Sequence, residues 1–283
     1  MQPLCPETSQ DERDKRGDLV SDMELHGEPG VLGKDDPAPV SVHNPHGGSA
    51  FLLVCDHAGR RVPARLGDLG VGPGDWERHI AWDIGAAGVC AALGPLLDAM
   101  CIEQVYSRLV IDCNRTPGHP TSIPPRSDGT EVPGNQGLTE GQVAGRVADI
   151  FEPYHCAIAA EIERRQSLGR PVVLIAMHSF TPVMGGVVRP WHAGVLHNRD
   201  PRLGRALAVR LRAAGYHVGD NEPYAVSDES DYSVPVHAER RGLAYVELEI
   251  RQDLIADPAG QLRWATLLAE ALPRAAEDSG IEV

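Results

Sequence analysis

Two stretches, "AFLLVCDH" (50–57) and "RPVVLIAMHSF" (170–180), are continuously apolar and then end abruptly in polar side chains. An unbroken apolar run of strand length is buried on both faces, which is the situation of a strand inside a parallel sheet covered by helices. Further strands are expected in "CIEQVYSRLVID" (101–112), in "YHVGDNEPY" from 216, and in "GLAYVELEIRQDL" (242–254). Between them the spacing predicts helices over 75–100, 139–169, 200–215 and 261–278. In the first, Ile80, Ile84, Ala87 and Ala91 share a face and Asp75 can serve as N-cap. In the second, Ile150, Tyr154, Ile158 and Ile162 form the stripe, and Pro153 is expected to bend or divide the helix. Strands alternating with helices imply an α/β fold: a single domain whose mainly parallel, mixed central sheet is covered by helices on both faces.

The expected domain runs from residue 38 to 283. Residues 1–37, rich in Asp, Glu, Gly and Pro without apolar periodicity, read as a disordered leader. The formal charge of −14 argues against a nucleic-acid surface, which needs clustered Lys and Arg, but leaves room for an acidic small molecule held by local arginines. No window approaches the ~20 apolar residues of a membrane span. The N-terminal stretch lacks the pattern of a signal peptide, so the cytoplasm is the expected compartment. The six cysteines contain no C-x-x-C pair and mostly sit in apolar runs, so buried free thiols are expected rather than a disulfide framework. Residues 114–138, crowded with Pro, Gly and Asn, exceed the ~12–15 residues usual for a structureless connection, and such loops are often functional.

In open α/β sheets ligands bind beyond the carboxyl ends of the strands. Four expected strands end in reactive groups: Asp56 and His57; Asp112, Asn114 and Arg115; His178 and Ser179; Glu249 and Arg251. A single such histidine is more often a satisfied core residue. Two at strand ends are candidate ligands of one divalent metal, for which zinc typically takes two histidines and a carboxylate and leaves a position for water. Asp83, on the apolar face of its expected helix, is the candidate third ligand; an ion pair with an arginine is the competing explanation. Asp56 is a weaker contender, because on a regular strand it points away from His57. Period two places Tyr245, Glu247, Glu249 and Arg251 on one face of their strand. Glu249, nearer the carboxyl end, is the candidate to take a proton from metal-activated water; the alternative is a solvent-facing strand with an internal ion pair.

Together "LLVCDHAGRRVP", "HIAWDIGA", "YSRLVIDCNR", "MHSFTP", "RPWHAGVL", "GDNEPY" and "VELEIRQDL" resemble the N-formylglutamate amidohydrolase family over roughly residues 40–270. That family is in turn similar in fold to zinc carboxypeptidases and aspartoacylases. The resemblance implies one zinc ion on His57 and His178, Glu249 as general base, and Arg108 polarising the scissile carbonyl. It also implies that Asn114 and Arg115 clamp the substrate carboxylate, for which the planar guanidinium fork is suited. One departure stands out: the carboxypeptidase relatives place an acidic ligand three residues after the first histidine, where this chain has Arg60. The implied reaction is hydrolysis of an N-acyl, such as N-formyl, acidic amino acid. Two other functions remain: a carboxypeptidase-like or other amidase on a different carboxylate-bearing substrate, and a non-catalytic small-molecule binder. A binder needs no general base.

Overall fold

The computed structural model describes residues 30–283; residues 1–29, which hold most of the expected leader, lie outside the described residues. The remainder of that segment packs on the domain. Val31 is buried in a core cluster, the Leu32 amide donates to Asp149, and the Pro37 carbonyl accepts from the Tyr106 hydroxyl. The packed region therefore starts upstream of residue 38.

The seven-stranded sheet is built from β1 (Val40–His43), β2 (Phe51–Cys55), β3 (Met100–Gln104), β6 (Val173–Phe180), β9 (Ala193–Leu196), β10 (Val218–Asp220) and β11 (Ala244–Arg251). Two small hairpins supply the numbers between: β4 (Arg126–Ser127) with β5 (Thr130–Glu131), and β7 (Val183–Met184) with β8 (Val187–Val188). The spatial order is β1-β3-β2-β6-β11-β9-β10. The central strands β3, β2, β6 and β11 are parallel, β1 is antiparallel to β3, and the parallel pair β9–β10 joins β11 antiparallel. The mixed, mainly parallel α/β architecture is as expected.

Strand alternation divides the core between the two faces. Leu53, Cys55, Ile175, Met177, Val246, Leu248 and Ile250 pack with α1 (Ala86–Leu97), α4 (Arg202–Ala213) and α5 (Pro258–Asp278). Leu52, Val54, Leu174, Ala176 and Tyr245 pack with α3 (Glu152–Ser167) and buried loops. The 139–169 helix is divided, as the proline suggested: α2 (Glu140–Arg146) and α3 are separated by a wide turn over Val147–Phe151, with Pro153 in the first turn of α3. All four stripe residues, Ile150, Tyr154, Ile158 and Ile162, are fully buried.

Two expected elements differ. The helix expected over 75–100 begins only at Ala86, with Gly85 as its N-cap at φ 85°. Positive φ favours glycine, and a Cβ there would lie 2.2 Å from the Ile255 carbonyl oxygen. Asp83 therefore sits in the turn before α1, not on a helical face. The helix instead buries Ala86, Val89, Cys90 and Leu93. The strand expected to reach residue 112 stops at Gln104. Leu109, Val110 and Ile111 are buried in a turn: the Ser107 hydroxyl accepts from the Leu109 amide and its carbonyl from the Val110 amide. An apolar run reports burial, and only pairing with a neighbour distinguishes strand from buried turn.

Four cysteines, Cys55, Cys90, Cys101 and Cys113, are buried and free, in keeping with the expectation for thiols in apolar runs. No helix among the described residues is long and apolar enough to cross a membrane.

Candidate metal centre

His57 follows β2 immediately, His178 lies near the end of β6, and Asp83 lies in the turn ahead of α1. Register brings Glu249 of β11 directly opposite His178 on the same face. The Asp83 backbone amide donates to the His57 carbonyl oxygen at 2.9 Å, and this ties the turn to the end of β2. Three segments far apart in sequence thus meet at one end of the parallel strands.

The Nδ1 atoms of both imidazoles face one carboxylate oxygen. Asp83 Oδ2 is 3.3 Å from His57 Nδ1 and 3.0 Å from His178 Nδ1. A tetrahedral ion with ligand bonds of about 2.0–2.1 Å separates its donors by about 3.3–3.4 Å. The spacing and the His₂-carboxylate donor set both fit a zinc-like divalent ion, and His57, Asp83 and His178, all buried, could hold it. The outer nitrogens face carboxylates: His57 Nε2 is 2.7 Å from Asp112 Oδ1, and His178 Nε2 is 3.4 Å from Asp56 Oδ2. Asp56 is in turn held by the hydroxyls of Tyr154 and Ser233, which donate to its Oδ1 at 2.8 and 2.7 Å. Carboxylates behind metal histidines fix ring orientation and raise ligand basicity.

The electrostatics follow. Burial opposes charge on Asp83 and Asp112, yet the neighbouring imidazoles and the Arg108 guanidinium hold both carboxyls far below the usual carboxylate range. Burial likewise opposes charge on His178, but Asp56 and Asp83 carry it above its ordinary value. Arg108 joins the group, donating from Nη1 to Asp83 at 3.1 Å and from Nε and Nη2 to Asp112 at 3.2 and 2.7 Å. Its fork is thus largely committed to the cluster, with one N–H on each terminal nitrogen not used by it, and Arg108 lines the adjoining cavity.

That cavity, of about 490 Å³, also receives Arg115, Glu247 and Glu249, and the long 114–138 segment supplies part of its wall through Arg126 and Asp128. Burial pushes Glu249 up to about 7 and Glu247 up to about 8. Oε2 of each is buried without a partner. Val246, Leu248 and Ile250 pack into the opposite core, so this strand is not solvent-facing. Both lie in the field of His178; Glu249 also feels Asp83, Arg108 and His57, and Glu247 also feels Asp231 and Asp56.

Asn114 and Arg115 converge on Asp231. Asn114 Nδ2 donates to Asp231 at 3.3 Å, and its Oδ1 accepts from the Tyr232 and Ser233 amides, both at 3.1 Å. Its side chain is thereby spent on anchoring the 231–233 turn. Arg115 Nη1 donates to Asp231 at 2.9 Å and to the Asn114 carbonyl at 2.8 Å; Nε and Nη2 have no partner among the described residues. Asp231 carries no signal of its own in the sequence, and Tyr154 is legible there only as part of an apolar helical stripe. Asp112 reads there only as a strand end and Asp56 only as a possible ligand. The Asp-His pair at 56–57 held the available signal, but the carboxylate serves the other histidine. Tyr224, Ser230 and Asp231 also line the cavity. Buried His237 instead contacts His155, Nε2 to Nδ1 at 2.9 Å.

The sequence profile of the N-formylglutamate amidohydrolase family matches residues 49–256. The chain belongs to that family. Gene product Atu2144 from Agrobacterium tumefaciens is 35% identical, with a TM-score of 0.85 over 88% of this chain and 98% of that one. An N-formylglutamate amidohydrolase from Ralstonia eutropha JMP134 shares the fold at 19% identity and a TM-score of 0.63, covering 86% of this chain and 99% of that one. No curated protein is matched by the sequence. Family membership makes this chain a hydrolase and gives the buried His57–Asp83–His178 group a functional setting.

Two expected results arise here. Asp112→Ala removes the acceptor that orients His57 and should weaken divalent-metal binding by about 10–100-fold, as read by titration calorimetry; unchanged affinity would remove that role from Asp112. Elsewhere, burial holds His155 neutral, with its value lowered from 6.5 to about 4. The unfolded chain takes up this proton first as pH falls, so the associated stability is complete above pH 6.5 and lost toward pH 4. The difference amounts to about 3 kcal/mol. A His155→Gln protein should show a flatter loss of Tm across that window than the parent; parallel curves would contradict it.

Proposed function

We propose that this protein hydrolyses the amide bond of an N-acyl acidic amino acid, with N-formyl-L-glutamate the leading substrate, and that it uses one zinc ion held by His57, Asp83 and His178. The observation that carries this reading is the convergence of both Nδ1 atoms on Asp83 Oδ2 at 3.0–3.3 Å, beside Glu249, in a family of amidohydrolases. The metal, when bound, would polarise the substrate carbonyl and make the attacking water more acidic.

The protein's own groups divide the remaining work. Arg115 offers Nε and Nη2 to a substrate carboxylate, with Asp231 fixing its other terminal nitrogen. Arg108 lines the cavity, and its spare N–H groups would stabilise negative charge developing on the carbonyl oxygen. Glu249 Oε2 accepts the proton of the attacking water and returns it to the leaving nitrogen as the C–N bond breaks, so that water is divided between formate and the free amine. A cation beside it would lower its proton affinity from the buried value, which suits a group that must give and take a proton near neutrality. Asn114 acts through the 231–233 turn that it anchors. The cavity volume suits a small molecule rather than a peptide.

The test is metal analysis of the purified protein followed by formate release from N-formyl-L-glutamate and a panel of N-acyl acidic amino acids. One equivalent of zinc and chelator-sensitive hydrolysis are expected. Full activity in metal-free protein, or no hydrolysis of any panel member, would overturn the proposal.

A further inference from the structure

A second group of metal-ligating side chains lies away from the cavity just described. Cys101 and Glu103 occupy alternate positions of β3, so both point to the same face of the sheet. Cys90 of α1 packs onto that face. The Cys90, Cys101 and Glu103 ligand atoms all lie within 4.8 Å of one another, and all three residues are buried. The Cys101 thiol donates to Glu103 Oε1 at 3.7 Å, and the Cys55 thiol at the end of β2 stands within hydrogen-bonding reach of Cys90.

We propose that Cys90, Cys101 and Glu103 form a binding site for a thiophilic cation of the zinc–cadmium class, distinct from the His57–Asp83–His178 group. Around an ion with metal–sulfur bonds of about 2.3 Å, tetrahedral donors stand about 3.5–3.8 Å apart. The Cys101–Glu103 pair already meets that spacing, and Cys90 must close by no more than about 1 Å. The fourth position can be taken by water.

Two features separate this cluster from thiols that merely fill a core. Its carboxylate sits in the support that ligating carboxylates receive in built sites: His43 Nε2 contacts Glu103 Oε2 at 3.0 Å, and Ser41 Oγ contacts the same nitrogen at 3.2 Å. The cluster also has an entrance, because Glu103 and half-exposed His43 line an open cleft beside edge strand β1. Of the two arginines on that cleft, Arg60 is ion-paired with Glu77 and Arg61 is exposed to solvent. Without an ion, burial and the neighbouring groups hold the thiols of Cys90 and Cys101 in the protonated form. Uptake of a divalent cation must therefore release the two thiol protons to solvent. The bound ion would cross-link α1 to β3, and α1 starts three residues after Asp83.

Cadmium titration of the full-length, reduced protein tests this site. Nitrogen and oxygen ligands do not give the thiolate-to-cadmium charge-transfer band in the ultraviolet, so the two sites are read separately. The expected result is a band that saturates with one cadmium, releases about two protons per ion and is abolished by excess zinc. It should be lost in Cys90→Ser and in Cys101→Ser, retained in Cys113→Ser, and need at least tenfold more cadmium in Glu103→Gln. Absence of the band from the parent protein at saturating cadmium would overturn the proposal whatever the variants do. So would a band that survives both Cys90→Ser and Cys101→Ser. Either failure leaves the reading of the His57 site intact.

Discussion

Replacing Glu249 with Gln is expected to lower kcat by about 10²–10⁴-fold while leaving metal content and KM close to those of the parent. The amide keeps the volume and one acceptor of the carboxylate but cannot take a proton. Glu249 is buried on β11, opposite His178 in register, and among the described residues its Oε2 has no hydrogen-bond partner. Desolvation pushes its carboxyl up to about 7. Replacing it removes a buried ionisable group without breaking a hydrogen bond to Oε2, so folding should survive. Since the base must be ionised, parent activity should rise with pH through the acid limb, and the Gln variant should lose that limb along with most of its rate. Steady-state kinetics across pH, with zinc quantified in the same samples, checks both. A Glu249→Gln protein within threefold of parental kcat would transfer the proton-transfer role to Glu247, the other buried acid on the same face.

Arg115→Ala should cost about 2–5 kcal/mol in kcat/KM, carried mainly by KM. The guanidinium, on the cavity wall, has Nη1 fixed by Asp231 and the Asn114 carbonyl, and among the described residues Nε and Nη2 have no partner. Such an arrangement would be preoriented for a substrate carboxylate, the role proposed for Arg115. The fold should tolerate the change, because Asp231 keeps hydrogen bonds from Asn114, Ser227 and Ser230. Arg115→Lys retains the charge but loses the fork, and should recover only part of the affinity. An Ala variant with unchanged KM would assign carboxylate recognition to another cavity cation, with Arg126 on the long segment the first to examine.

Much of the site was legible before any coordinates. The apolar runs ending in His57 and His178 marked two buried strands and the polar groups beyond them, and period two in "AYVELEIR" placed Glu247 and Glu249 together. Asp83 was selected from an expected helix that does not extend to it; its charge within an apolar stretch was the sounder signal, since a buried carboxylate requires partners. The opening of α1 could not be placed because Gly85 stops it through contact with Ile255, some 170 residues later. In the same way, "RLVID" is apolar enough for a strand, but at that position it has no sheet neighbour and becomes a buried turn whose polar ends face the cluster.

The sequence alone determined the pattern of burial, the parallel character of the sheet and the identity of the two histidines, because each depends on local residue order and strand period. Pairing across the fold decided the rest. Asp56 stands beside His57 in the chain yet serves His178, Asp112 serves His57 across 55 residues, and Asp231 anchors Arg115 across 116. Hydrogen bonds and ion pairs act over a few ångströms of space, and sequence separation carries no information about which side chains come that close.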